Sequence, residues 1–152
     1  MRQAGRFTIP ANAGDANWKV VASSDYSRAY VPGTPPVGSP DIVWRNETSG
    51  NQVVWHLDFN STRVHGQFTN PANAGDNNWN VYAGGDFGVG SGGTNCTNDI
   101  VWRNATSGKE VVWYMDFAGN RTFGEFTTPD SPTTDPDGNP TPATNWIVAG
   151  PR

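Results

Sequence analysis

The chain has 152 residues, a formal net charge of −4, one cysteine, seven tryptophans, 18 glycines and 12 prolines. Only 16% of it is charged, so Asn, Thr, Ser and Gly supply its polarity; these suit turns, while Trp, Val, Phe and Thr favour strands, and a helical bundle or coiled coil is excluded. An acidic chain without a Lys/Arg cluster argues against nucleic acid as a partner, no run approaches the roughly 18 apolar residues of a membrane span, the opening MRQAGRF lacks the apolar core of a signal peptide, and the single Cys96 excludes an intrachain disulfide or a cysteine zinc site.

In chain order the sequence repeats itself. Residues 2–10 (RQAGRFTIP) lead to NWKVVASSD from Asn17, DIVWRN at 41–46, a TSG turn at 48–50, VVWHLDF at 53–59 and RVHGQFTNP from Arg63. Then follow NWNVYAGGD from Asn78, DIVWRN at 99–104, TSG at 106–108, VVWYMDF at 111–117, RTFGEFTTP from Arg121 and NWIVAG from Asn145. The DIVWRN and VVW segments recur 58 residues apart, and every tryptophan falls in the scheme: Trp18, Trp79 and Trp146; Trp44 and Trp102; Trp55 and Trp113. Each segment is short, rich in Val, Trp and Phe, and bounded by Gly, Asn, Asp or Pro, which is the pattern of a strand. With types a (NWxVxA), b (DIVWRN), c (VVWxxDF) and d (RxxGxF), the order is d-a-b-c-d-a-b-c-d-a. That predicts ten strands: two complete four-stranded units, a spare d in front and a spare a behind. The TSG turns between b and c are hairpin-sized, with glycine at the position needing positive φ, so the units are antiparallel meanders. The d-to-a connections are PANAGDAN at 10–17, PANAGDNN at 71–78 and a longer Pro/Asp-rich surface loop at 129–144.

Alternation places Ile42 and Trp44 on one face of strand b and Val43 and Arg45 on the other; in strand c, Val53, Trp55 and Leu57 oppose Val54, His56 and Asp58. A sheet apolar on both faces must be covered on both, which a radial stack of blades achieves. The predicted fold is therefore all-β, a β-propeller with two complete blades in one domain spanning 1–152: blade 1 at about 7–67, blade 2 at about 68–125, and a loop with a partial third repeat at 126–152. Propellers close with about four to eight blades. The chain is thus expected either to complete a ring with copies of itself or to belong to a longer array, its spare end strands serving as hooks.

The AGGDF at 83–87, the two DIVWRN segments and the two VVWxxDF segments resemble the FG-GAP/VCBS family of bacterial β-propeller repeats. The resemblance covers nearly the whole chain and implies a propeller, an extracellular or cell-surface setting, and adhesion, glycan recognition or ligand binding rather than catalysis. The family's calcium loop is largely missing: only the flanking Asp25, Asp41, Asp86 and Asp99 remain as metal candidates, against the six to eight oxygens that calcium takes, with turn capping as their competing role. Asp135–Asn139 (DPDGN) is more ligand-like but lies in the last d-to-a loop. No cofactor is required.

The candidate ligand site comprises Trp44, Arg45 and Asn46 with their repeats Trp102, Arg103 and Asn104, an indole face for a sugar ring beside donors for its hydroxyls. Packing between blades is the competing role, favoured by strand alternation, with Arg45 and Arg103 pairing to repeat carboxylates such as Asp41/Asp99 or Asp58/Asp116. His56 and His65 are single-copy, replaced by Tyr114 and Phe123. No GxSxG, HExxH or phosphate-cradling motif occurs. Asn46, Asn60, Asn95, Asn104 and Asn120 begin N-x-T sequences, read as turn chemistry, and Cys96 could bridge chains or stay a free thiol. The expected function is a non-enzymatic, homo-oligomeric glycan-binding module; the alternative is a structural protein that self-assembles into a ring or filament through its end strands.

Overall fold

The computed structural model describes residues 7–26, 40–88 and 97–128. These residues form eight strands: β1 (Trp18–Ser24), β2 (Asp41–Asn46), β3 (Gln52–Leu57), β4 (Arg63–Phe68), β5 (Trp79–Gly85), β6 (Asp99–Asn104), β7 (Glu110–Met115) and β8 (Arg121–Phe126). They build two four-stranded antiparallel sheets ordered β1-β2-β3-β4 and β5-β6-β7-β8, here called blades 1 and 2. The fold is all-β, and the eight central strands of the repeat are present. Of the two spare strands, the N-terminal one forms no strand in its described part: Ile9 makes an isolated parallel bridge to Thr62. Its first residues, the C-terminal strand from Asn145, the 129–144 loop, Cys96 and most of the loops between Asp25 and Asp41 and between Asp86 and Asp99 lie outside the described residues.

Local side chains fix the turns. In each b–c hairpin an asparagine oxygen caps two backbone N–H groups: Asn46 Oδ1 accepts from Thr48 and Ser49 at 3.0 and 2.9 Å, and Asn104 Oδ1 from Thr106 and Ser107 at 3.0 and 2.8 Å. In each c–d turn an aspartate does the same. Asp58 Oδ1 accepts from Asn60 and Thr62, and Asp116 Oδ1 from Ala118 and Asn120. Those turns end strand c earlier than the sequence reading placed it, leaving Phe59 and Phe117 in the turns and exposed. Bulges also repeat, between Val20 and Ala22 in β1 and between Val81 and Ala83 in β5; such an extra residue bends a strand and increases its twist.

Each blade has a tryptophan face and a valine face. On blade 2 the tryptophan face carries Trp79, Val81, Ile100, Trp102, Val111, Trp113 and Met115; on blade 1 the valine face carries Ala22, Val43, Arg45, Gln52, Val54 and His56. These two faces meet in one core that joins Val43, Val54 and Tyr26 to Val81, Ile100, Trp102, Val111, Trp113 and Met115. The tryptophan face of blade 1 forms a separate cluster of Trp44, Trp55 and Leu57 with Trp18, Ile42 and Val53 around it. Blades stack valine face to tryptophan face, and β1 touches β5.

Candidate functional site

The predicted ligand residues are core residues. Trp44 packs on Trp55 with centroids 5.1 Å apart and a 56° tilt, and Trp102 on Trp113 at 4.8 Å and 56°. Trp102 is wholly buried and Trp44 nearly so, so neither offers a face to a sugar ring. Asn46 and Asn104 spend their oxygens on the hairpins described above. Arg45 and Arg103 are buried as well, and their partners differ from the repeat aspartates expected. Arg45 Nη2 donates across the blade interface to the carbonyls of Trp79 (2.9 Å) and Asn77 (3.4 Å), and burial lowers its pKa, Glu47 opposing. Arg103 Nε lies 3.5 Å from Glu110 Oε1 and donates to the Gly108 carbonyl at 3.4 Å. Burial raises the Glu110 carboxyl above its ordinary value, and the Arg103 charge opposes that rise.

The four aspartates also divide. Asp41 and Asp99 are buried staples that tie three segments together. Asp41 Oδ2 accepts the Tyr26 N–H at 2.8 Å and lies 3.0 Å from His56 Nδ1, while Oδ1 accepts the Leu57 N–H at 3.1 Å. Asp99 repeats the pattern with Phe87 and Met115, both at 3.1 Å. Burial raises the Asp99 carboxyl, and those two N–H donors pull against it. Tyr26, buried beside both carboxylates, has its phenol pushed far up, first by burial and then by Asp99 and Asp41. Asp25 offers its carbonyl to Asn98 Nδ2, and Asp86 Oδ1 caps Gly88 in an exposed turn. Among the described residues no group of three or more His, Cys, Asp or Glu side chains converges on a metal position. His56 and His65 stack at 5.7 Å and 19°, in the place where Tyr114 and Phe123 stack at 6.0 Å and 23°; the slot is an aromatic pair in both blades.

The described surface has a different site, on the outer half of the blade 2 tryptophan face. A groove of about 430 Å³ is lined by Ala74, Trp79, Val111, Trp113, Arg121, Thr122, Phe123, Gly124 and Phe126, within the size range of ligand pockets. Its aromatic floor follows from the register: Trp113 stands opposite Gly124, and Val111 opposite Phe126. Gly124 lies directly against both neighbours, its Cβ position falling in ordinary contact at 3.4 Å from Trp113 Cδ1 and 3.5 Å from Arg121 Cδ. The Arg121 guanidinium lies over the indole, with Cζ 4.9 Å from the ring centroid. Trp79 and Phe126 tilt at 51° with centroids 6.3 Å apart, and half of Phe126 is exposed. Lys109 Nζ stands 5.7 Å from the Phe126 centroid.

Blade 1 repeats the arginine–tryptophan and tryptophan–phenylalanine pairs of this set. Arg63 lies 4.9 Å over Trp55, Gly66 stands opposite that indole, and Trp18 and Phe68 pair at 6.4 Å and 52°. The sequence carried the signal as RxxGxF, in which Arg, Gly and Phe recur together. Sequence reasoning passed over it because the Trp that completes the set belongs to the neighbouring strand. Compared with known proteins, the chain matches no family model, no curated protein and no solved structure.

Proposed function

We propose that the chain is a non-enzymatic binding module, a pair of propeller blades of FG-GAP/VCBS type completed by copies of itself, that recognises glycans outside the cell or at its surface. The observation that carries this reading is the aromatic groove of blade 2 with its arginine, whose arginine–tryptophan and tryptophan–phenylalanine pairs recur on blade 1. Exposed aromatic faces stack on the apolar faces of sugar rings, guanidinium N–H groups donate to sugar oxygens, and repetition gains avidity from individually weak sites. The one Asp–His pair among the described residues, Asp41 and His56, is sealed in the core, and the proposed module binds without transforming its ligand.

A glycan array tests the reading. The wild-type chain should bind a subset of oligosaccharides, and the double substitution Phe68→Ala/Phe126→Ala, at two exposed positions, should weaken that binding at least tenfold. Silence across diverse sugars would overturn it.

Structural self-assembly is the second reading, and one comparison favours it. Val20 is 53% exposed on blade 1 while its repeat Val81 is 8% exposed on blade 2, and Ile42 is half-buried while Ile100 is fully buried. Blade 1 covers one tryptophan face, and among the described residues no blade covers the other. Further blades of the same kind would fit there, face on face rather than edge to edge. Light scattering checks this: a discrete assembly that dissolves in Val20→Glu supports stacking on this face.

A further inference from the structure

We infer that the blade 2 groove takes an acidic oligosaccharide, one whose sugar rings carry carboxylates, in preference to a neutral one; this rests on the glycan reading above and names its substrate class. Three observations converge. First, the groove runs along β8 from Arg121 to Phe126, five residue steps or about 17 Å, long enough for several linked rings. Second, cations flank it: Arg121 in its lining lies over Trp113, and Lys109, beyond the lining, reaches over Phe126. Third, neither cation has an acidic partner among the described residues. The ion pairs among the described residues are Lys19–Glu47, His56–Asp41 and Arg103–Glu110, and no carboxylate lines the groove. Glu125 and Glu110 lie on β8 and β7 at positions that alternate to the opposite face, where Glu110 meets Arg103.

In a chain of net charge −4, two cations without acidic partners among the described residues, Lys109 over the half-exposed Phe126 and Arg121 over the buried Trp113 beside the exposed Phe123, are placed for an anion joined to a stackable ring. The planar guanidinium matches a carboxylate in two-point fashion, and the ammonium adds a point charge at the far end. Blade 1 supplies a control within the molecule. Its matching β3–β4 surface keeps the arginine, Arg63, but Asn51 replaces Lys109 and its side-chain oxygen accepts a hydrogen bond from Asn73. That surface therefore has one cation of the two and a weaker claim on an acidic ligand.

Calorimetric titration of the full chain with a tetrameric oligogalacturonate, its neutral galactose counterpart, a size-matched heparin fragment and an oligo-aspartate tests the inference. The uronate should bind at least tenfold tighter than the neutral tetramer, with an affinity that falls as salt rises. Lys109→Gln/Arg121→Gln should erase that preference, bringing the uronate and the neutral tetramer to within about threefold of each other. Lys19→Gln, which removes an exposed cation elsewhere, should change nothing. Equal or tighter binding of the neutral tetramer, or an undiminished preference in the double variant, overturns the acidic-sugar inference and leaves the glycan reading standing. Equal binding of oligo-aspartate overturns it too, by showing charge alone at work, and tighter binding of heparin than uronate reassigns the anion to sulfate. No binding of any sugar sinks the glycan reading itself.

Discussion

Blades 1 and 2 share strand lengths, registers, bulges and turn caps, yet the same residue types are buried to different depths. Ile100, Val81 and Val111 on blade 2 lie under the valine face of blade 1, whereas Ile42, Val20 and Val53 on blade 1 remain partly or largely exposed. On the valine faces the order reverses: Val54 is buried on blade 1 and its repeat Val112 half-buried on blade 2. At these matched positions the depth of burial tracks a neighbouring blade, while Trp44, Trp55 and Leu57 are buried on the blade 1 face that no described blade covers.

Truncations at matched positions test this most strongly. Ile100→Ala should cost about 2–5 kcal/mol, as expected for a fully buried large-to-small change, while Ile42→Ala should cost under about 2 kcal/mol. Urea denaturation of dilute protein reads both. Equal costs would mean that blade 1 is covered as fully as blade 2, and a gap that closes with rising protein concentration would show assembly covering it.

The two buried staples give the next contrast. Asp41→Asn disturbs three partners, the N–H groups of Tyr26 and Leu57 and the His56 ring, and should cost about 2–4 kcal/mol; Asp99→Asn disturbs two N–H donors and should cost about 1–2 kcal/mol. Thermal unfolding of both variants ranks them, and a reversed order would deny His56 its part in the staple.

A third contrast lies in one substitution the chain already carries: Gln52 in blade 1 is Glu110 in blade 2. Glu110 and Asp99 both have folded-state pKa values raised mainly by burial. A raised carboxyl keeps its proton in the folded chain to a higher pH than in the unfolded one, so its contribution to stability is complete at pH below its unfolded value and is lost as pH climbs through its folded value. Stability should therefore fall as pH rises through that window, and Glu110→Gln should flatten the fall, a change of about 1 kcal/mol or less. Urea midpoints of wild type and variant from pH 3 to 7 decide it; a slope unaltered by the substitution would remove Glu110 as a source.

The smallest effect concerns the c–d turns, where Ser61 at φ 64° occupies the left-handed position that Gly119 holds at φ 74° in blade 2. Ser61→Gly should stabilise by about 0.5–1 kcal/mol, because glycine takes that conformation without a Cβ penalty. Gly119→Ala should destabilise by at least as much, since its Cβ would come within 2.9 Å of Gln67 Nε2. Melting temperatures that moved the other way would place the strain elsewhere.

Much of the fold was legible in the sequence because strand and turn chemistry is local. Alternation in DIVWRN and VVWxxDF, asparagine and aspartate caps, and a period of 58 residues were enough to mark the central eight strands and their meander order. The candidate site was less legible. Trp44, Arg45 and Asn46 were singled out because they adjoin one another in sequence, but adjacent residues of a strand point to opposite faces, so they do not form one surface. Trp113, Arg121, Gly124 and Phe126 do form one, from two strands whose pairing aligns Trp113 with Gly124.

The sequence by itself determined the all-β class, the blade as repeating unit, and which residues alternate to which face, since these depend on spacing and neighbours along the chain. Only the tertiary structure decided that Arg45 reaches across to the Trp79 carbonyl, that Trp102 is sealed while Val20 is open, and that the arginine of strand d lies over the tryptophan of strand c. Those outcomes depend on distance in space, and the repeat, being the same in both blades, could not say which of its two copies would have a neighbour.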